Sequence, residues 1–364
     1  MAAMIVTIAV AAASGIAFAA GPVPKARFAF VSGGKDNDVV QFKVKSNGTL
    51  LANSPATVAT NDDFPGSFAS SKRQGKTYVY VANQNGTTIS EFILGSGGKL
   101  TSLNPASYEL GFSPAFPVVD PRNRFLYVTT FGPRIEQLKI NPNGTLTANS
   151  PSFVTVTGGS TNFPVIDPKS NFLFVTDFGH KTVAQFRINS DGTLTPNVPA
   201  SIATGGNPRR IAITPTGKFA YVPNLDDGTI SQYIVNADGT LTPNNPATVQ
   251  LPAGSGPFQI VIGPNSNFAI VIGDNMTDLE QFTIAGNGTL TPNTPAAFPL
   301  GIFPGLMALD PGGRYAFIDD FASTVYELRV STNGAISATS ASAGAGEIAT
   351  VTAGHGNREI LLLK

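Results

Sequence analysis

Cysteine is absent from this 364-residue chain, which excludes disulfides, thiolate nucleophiles and every Cys-ligated zinc or iron–sulfur centre. Histidine occurs twice, too few for a multi-His metal site, and neither metal nor cofactor is expected. Charged residues make up 13% of the chain, against about a quarter in an average soluble protein. The 23 Lys and Arg balance the 23 Asp and Glu. Nucleic acid and anionic membrane surfaces both call for a basic excess, so neither is an expected partner. No apolar run beyond residue 20 could cross a bilayer. No EF-hand loop, P-loop, HExxH helix or G-x-S-x-G elbow is present, and no sustained 3.6-residue period argues for helix.

What the chain has in abundance is punctuation, with 38 Gly and 28 Pro. An Asx-Gly turn falls at Asn47-Gly48, Asn143-Gly144, Asp191-Gly192, Asp238-Gly239, Asn287-Gly288 and Asn333-Gly334, with Gly97-Gly98 as a degenerate member. The spacing is roughly 46 to 50 residues. The clearest unit, Gly205 to Leu241, holds a Pro-led apolar segment, a Pro/Gly turn, the run Phe219–Val222, and Thr229–Val235 closed by Asp-Gly. A looser fourth strand follows. Short β-branched and aromatic runs between turns every 8 to 12 residues read as strands. Seven such units of four strands predict an all-β, seven-bladed β-propeller, each blade burying its faces against its neighbours.

The second strand of each unit is an unbroken apolar run, as in Tyr78–Val81, Phe172–Val175 and Phe268–Val271, and should be buried on both faces. The first unit begins with such a run at Arg27–Val31 and has no strand before it. The missing strand is expected at the other end, because Gly354–Leu362 lines up with Gly254–Ile262. The C-terminal segment should therefore close the ring and remove an exposed edge. Residues 20–364 are expected to form one domain and to act as a monomer. Residues 1–19, apolar, Ala-rich and ending Ala17-Phe18-Ala19, read as an export signal, which would place the mature chain outside the cytoplasm with no membrane span.

In an up-and-down blade, the loop into the first strand and the loop between the second and third share a face. The Asx-Gly turns lie on the other, so sequons such as Asn47-Gly48-Thr49 are better read as hairpin turns than as glycosylation sites. The first face varies between units and carries the polar candidates. His180 lies in Asp177-Phe178-Gly179-His180 and His355 in the last inbound loop. Arg209 and Arg210 lead into the inner strand of the fourth blade, Arg358 and Glu359 into the last, and Arg134 sits in a comparable loop. Arginines facing a narrow channel could hold a carboxylate or polarise a carbonyl. Asp36-Asn37-Asp38, Asp226-Asp227, Asp274-Asn275 and Asp319-Asp320 are read as Asx turns rather than cation sites.

The Tyr-Val-x-Asn blades (Tyr80–Asn83, Tyr221–Asn224), Asp167-Pro168 followed by Phe172–Gly179, and the Gly-Thr-Leu turns resemble the seven-bladed propeller lactonases, the group of 6-phosphogluconolactonase and carboxymuconate cyclase-like proteins, and more loosely the YVTN surface-layer repeats. That resemblance, over roughly Arg27 to Leu363, implies a pocket using a histidine base, an arginine at the oxyanion and an acid. Pro208-Arg209 matches the family's Pro-Arg, but Arg210 replaces the His that follows, and Leu225 stands where Glu follows Asn. Two functions stay open. One is an exported lactonase-like hydrolase or cyclase of a small acidic lactone, with Arg209 and Arg210 at the oxyanion, His180 as base, and Asp177, Arg134, His355, Arg358 and Glu359 contacting substrate. The other is a silent propeller that binds a ligand or partner at the cell envelope.

Overall fold

An Asx-Gly pair turns a strand back because the Asx side chain caps the turn and glycine accepts φ > 0. Asn47 Oδ1 accepts both the Thr49 N–H (3.2 Å) and its hydroxyl (2.8 Å), and Gly48 sits at φ +94°. Asn143, Asp191, Asp238 and Asn287 accept from the threonine two residues on in the same way. At the far end of the inner strand, Asp120, Asp167 and Asp310 each fold the Asp-Pro turn by accepting the N–H of the aromatic that opens the second strand.

The computed structural model describes residues 26–156, 159–338, 349–353 and 357–364. The export segment expected at 1–19 lies outside them. All regular elements among the described residues are strands, and they form seven antiparallel sheets. Blade 1 comprises Pro65–Arg73, Lys76–Asn83, Thr88–Leu94 and Leu100–Glu109; blade 2 comprises Pro114–Val119, Phe125–Thr130, Arg134–Ile140 and Leu146–Thr155. Blade 3 holds Thr161–Ile166, Phe172–Asp177, Thr182–Ile188 and Leu194–Ala203, and blade 4 Ala212–Ile213, Phe219–Asn224, Thr229–Val235 and Leu241–Gln250. Blade 5 runs Pro257–Ile262, Phe268–Gly273, Asp278–Ile284 and Leu290–Pro299. Blade 6 has Met307–Leu309, Tyr315–Asp319 and Thr324–Val330, with Ile336–Ala338 and Ala349–Thr352 sharing the outer edge. In blade 7, Asn357–Leu363 pairs with Phe28–Gly33, followed by Asp38–Val44 and Leu50–Ala59. The closure is the one expected, with Phe28 opposite Leu363 and Val31 opposite Ile360.

No blade has a core of its own. The buried side chains fall into seven clusters, each shared by two neighbouring blades. The second strands are buried on both faces, with Phe30, Tyr80, Tyr127, Phe174, Tyr221, Ile270 and Phe317 fully enclosed. Each turn glycine packs against the aromatic that opens the second strand of the preceding blade, from Phe28 at Gly98 round to Tyr315 at Gly48. A second ring of joints comes from the third strands. Gln41, Glu91, Gln137, Gln185, Gln232, Gln281 and Glu327 are each buried, and each accepts the N–H that begins the fourth strand of the next blade, at 2.6–3.0 Å. Gln41, Gln137, Gln185 and Gln232 also donate Nε2 to a proline carbonyl of their own blade.

Candidate functional site

Bulges interrupt the inner-strand register in blades 1, 2, 3, 5 and 7. A bulge re-aims side chains, here toward the ring axis. Blade 4 does this differently. Its inner strand is only Ala212–Ile213, and Arg210 forms a parallel bridge to Gln259 of blade 5.

The strand registers single out one equivalent residue per blade: Ser67, Phe116, Phe163, Arg210, Gln259, Leu306 and Glu359. Each lies one residue before the partner of the second-strand position occupied by Val81 in blade 1 and by Val271 in blade 5. All but Leu306 line a cavity of about 150 Å³ in the channel. Arg210 Nη1 donates to Glu359 Oε1 at 2.9 Å, joining side chains that are 17% and 19% exposed and lie three blades apart. The other carboxylate oxygen accepts the Phe68 N–H at 2.9 Å, and the Glu359 N–H donates to Ser32 Oγ at 3.1 Å. The Glu359 carboxylate is thus held by backbone of blade 1, and the Glu359 backbone by the Ser32 hydroxyl of blade 7.

Aromatic rings wall the pair. The Arg210 guanidinium lies 5.3 Å from the Phe116 centroid and 5.0 Å from that of Phe163, close enough for cation–π attraction. Phe116 and Phe163 are themselves 4.3 Å apart, and the series extends to Phe258 at 5.6 Å from Phe163 and to the exposed Phe131 at 6.5 Å from Phe116. Gln259 is committed elsewhere, since its amide donates to the Met307 carbonyl (3.0 Å) and accepts the Met307 N–H (2.8 Å).

Residues 112–299, just over half of the chain, match the family described as "Lactonase, 7-bladed beta-propeller". The chain belongs to the seven-bladed β-propeller lactonase family. Solved structures agree on the fold. A putative 6-phosphogluconolactonase from Bacteroides fragilis is similar at TM-score 0.75 and 18% identity, over 93% of this chain and 98% of that one. A periplasmic gluconolactonase from Pseudomonas aeruginosa gives 0.74 and 16%, over 93% and 99%. A protein from Lactobacillus plantarum gives 0.76 and 17%, over 94% and 100%. Comparison with curated proteins by sequence found no match.

In this lactonase-family propeller the residues singled out from sequence divide into three groups. Arg210 and Glu359 meet in the cavity. Arg209 adjoins it, its guanidinium 5.4 Å from the Phe258 ring and without an ion pair or hydrogen-bond acceptor among the described residues. Burial pulls the Arg209 pKa below its ordinary value, opposed by Asp274 and Asp226. Burial conversely raises Asp274, opposed by Arg209.

His180, Asp177 and Arg134 lie apart from the cavity lining. His180 is half exposed, with Nδ1 2.9 Å from Asp177 Oδ2, while Asp177 Oδ1 accepts the N–H groups of Ser160, Gly179 and His180. Asp177 therefore organises its own loop. Arg134 pairs with Glu136 at 3.0 Å and stacks on Phe112 and Phe153 at 4.1 and 3.7 Å. His355 and the Arg358 side chain lie outside the described residues. Asp320, one of the acidic-turn residues, accepts three successive N–H groups at 2.9–3.0 Å. Among the described residues no cluster of three or more His, Asp or Glu could hold a metal ion. Its neighbour Asp319 is fully buried, and burial pushes its carboxyl up to about 7, with Asp320 and Glu359 adding to the rise against two backbone N–H donors.

Sequence reasoning missed Ser67, Phe116, Phe163, Phe258 and Gln259. The signal was available in the seven-fold alignment, which places Gln259 level with Glu359 and with Arg210.

Proposed function

We propose that this propeller hydrolyses a small lactone carrying an acid group, in the channel between Arg210 and Glu359. The observation that carries the reading is the pairing of these two side chains, brought from blades 4 and 7 into an aromatic-walled cavity. The Arg210 guanidinium lines the cavity and spends Nη1 on Glu359, which leaves its other terminal nitrogen to meet a carbonyl oxygen. Glu359 takes a proton from the water that adds to the carbonyl carbon. The charge gathering on the carbonyl oxygen is stabilised by Arg210, more strongly in a water-poor site than in solution. Collapse of the adduct breaks the bond to the ring oxygen, which takes the proton from Glu359 and leaves as a hydroxyl. Arg209 anchors the acid group at the mouth. This assigns the base to Glu359, because His180 does not line the cavity.

The test is turnover of a lactone panel by wild type, Arg210→Gln and Glu359→Gln, with urea melts to verify folding. Loss of one oxyanion donor lowers turnover by roughly 100- to 1,000-fold, and loss of the base should do at least as much. Turnover unchanged by Glu359→Gln would remove the mechanism.

A second reading is binding without turnover. It is favoured by the engagement of both Glu359 oxygens, one with Arg210 and one with the Phe68 N–H. Saturable ligand binding with no hydrolysis across the panel decides for it. Placement outside the cytoplasm belongs to the same proposal, supported by the export-like residues 1–19 and by the fold similarity to a protein described as a periplasmic gluconolactonase.

A further inference from the structure

We infer that the end of the propeller opposite the channel mouth docks on a flat anionic surface, the headgroup layer of a bilayer rich in acidic phospholipid. The inference is independent of any chemistry in the channel. It starts from where the charges lie.

The chain is neutral overall, yet its charges are sorted between the two ends of the ring. Each blade runs its second strand away from one end and its third strand back to it. The turns joining strands one and two therefore share that end with the Asx-Gly turns joining strands three and four. Six blades place a cation where the inner strand ends or the second begins, at Arg73, Arg122, Lys169, Lys218, Arg314 and Lys364. Lys72, Lys76, Arg124 and Arg27 stand beside them in the chain. Further out, the ends of the third strands and the turns that follow add Lys43, Lys45, Lys99, Lys139, Arg187 and Arg329. Sixteen of the 23 Lys and Arg thus lie at one end, every one of them exposed or half-exposed.

Neighbouring turns touch, so these cations share one connected surface. The Lys72 N–H donates to Asn123 Oδ1 at 2.7 Å, the Arg122 N–H to Ser170 Oγ at 3.1 Å, and the Thr216 N–H to Ser266 Oγ at 3.3 Å, linking blades 1 to 2, 2 to 3 and 4 to 5. The carboxylates at this end are committed to the turns themselves. Asp120, Asp167 and Asp310 are buried and accept turn N–H groups, with Arg124 3.6 Å from Asp120, while Asp191 and Asp238 cap two Asx-Gly hairpins. The acidic turns Asp62-Asp63, Asp226-Asp227, Asp274 and Asp320 lie at the other end, with the channel mouth. Overall neutrality gives no reason to expect an anionic partner, but a molecule sorted in this way presents a strong local field at each end.

The shape of the basic end selects the partner. Every turn there is five residues long or shorter, so none stands above the rest. The cations form two concentric rings rather than a stripe, and a linear polyanion would meet only some of them. A plane of phosphates meets both rings at once. Phe112, Phe131, Phe178, Phe303 and Phe321 are exposed in loops of the other end, and the basic end has no exposed aromatic ring among the described residues. It therefore lacks the platforms that stack nucleic-acid bases and the wedges that enter an acyl layer. Attraction is left to charge, at about fivefold in partitioning for each Lys or Arg close to an anionic leaflet. Docked in this way, the propeller turns its channel mouth to the solution.

The experiment is co-sedimentation of the full chain with vesicles of phosphatidylglycerol and phosphatidylcholine in equal parts, and with vesicles of phosphatidylcholine alone. It is repeated on Lys169→Gln/Lys218→Gln and on Lys35→Gln/Lys181→Gln, which remove the same net charge from opposite ends. Wild type is expected to bind the acidic vesicles at about 0.1 M salt and to leave them near 0.5 M, as screening shortens the field. The Lys169/Lys218 pair should weaken binding about tenfold or more, the Lys35/Lys181 pair less than about twofold, both with wild-type urea melts. Lys72→Gln/Lys76→Gln replaces the first pair should it fold poorly. Equal binding to both kinds of vesicle overturns the inference, since it marks an apolar segment such as residues 1–19. Equal loss from the two pairs overturns it too, because net charge and not one face would then be at work. Capture by heparin without vesicle binding assigns the face to a linear polyanion, and salt-sensitive self-association without vesicle binding assigns it to the acidic end of a second copy. Either result overturns the bilayer as partner, as does absence of all binding.

Discussion

Replacing Glu91 by glutamine should stabilise this protein, and increasingly so as pH rises. Glu91 occupies the third-strand joint that five of the seven blades fill with Gln. Its Oε1 accepts the Leu146 N–H at 3.0 Å, while its Oε2 is buried with no partner among the described residues. In four of those five blades the corresponding Gln atom is a donor that reaches a proline carbonyl, as Gln137 does to Pro151 at 2.9 Å. A carboxyl imitates this only when protonated. Burial pushes Glu91 from 4.5 up to about 7, partly countered by the Leu146 N–H. The folded pKa therefore exceeds the unfolded one, and the native state holds the extra proton between them. The resulting stability is complete below about pH 4.5 and is lost as pH rises through 7. The shift corresponds to roughly 3 kcal/mol as an upper bound. Glu327, which accepts the Leu50 N–H and is likewise raised to about 7 by burial, adds a similar amount. The assay is urea unfolding of wild type and Glu91→Gln at pH 5 and pH 8.5. Other buried carboxyls, such as Asp319, titrate in both proteins and cancel in the difference. The variant should be the more stable at pH 8.5, by up to about 3 kcal/mol, with the gap closing toward pH 5. Parallel pH dependences, or a variant no more stable at pH 8.5, would refute the reasoning.

Gly239→Ala should lower stability by about 2 kcal/mol or more, since the residue sits at φ +81° and a Cβ would lie 2.0 Å from the Phe172 ring; chemical denaturation measures it. Removal of residues 357–364 should expose the edge of Phe28–Gly33 and lower the melting temperature with a rise in aggregation. An unchanged melt would count against closure as a stabilising device. N-terminal sequencing of protein recovered from outside the cytoplasm should read from Ala20, and an intact Met1 there would remove the export reading.

The architecture was legible because its determinants are local and repeated. Asn-Gly, Asp-Gly and the double-sided apolar second strand recur in register, and the alignment of Gly354–Leu362 with Gly254–Ile262 was enough to place the closing strand. The site was legible only in part. Arg210 and Glu359 stood out because charge is scarce, but nothing in their immediate neighbours says that they face one another across a ring. Nothing in the sequence sets Phe116 and Phe163 apart from the other aromatics; the strand register turns them inward. His180 and Arg134 drew notice as loop residues, yet each is committed to a local partner, Asp177 or Glu136, which sequence separation of two or three residues made easy to overlook. The third-strand Gln and Glu joints recur at one position of every repeat, but their partners are backbone groups more than fifty residues away.

Because the cavity receives one equivalent side chain from each of six blades, the ligand surface is a set of six separate addresses. The joints that hold neighbouring blades together, the turn glycines and the third-strand amides, occupy other strands. Changing Ser67 or Phe116 therefore alters what the wheel grips without altering how the wheel is assembled. A library varied at Ser67, Phe116 and Phe163 would sample new ligands on a constant frame, whereas Gln259, Arg210 and Glu359 also bind across blades and have to be varied with their partners.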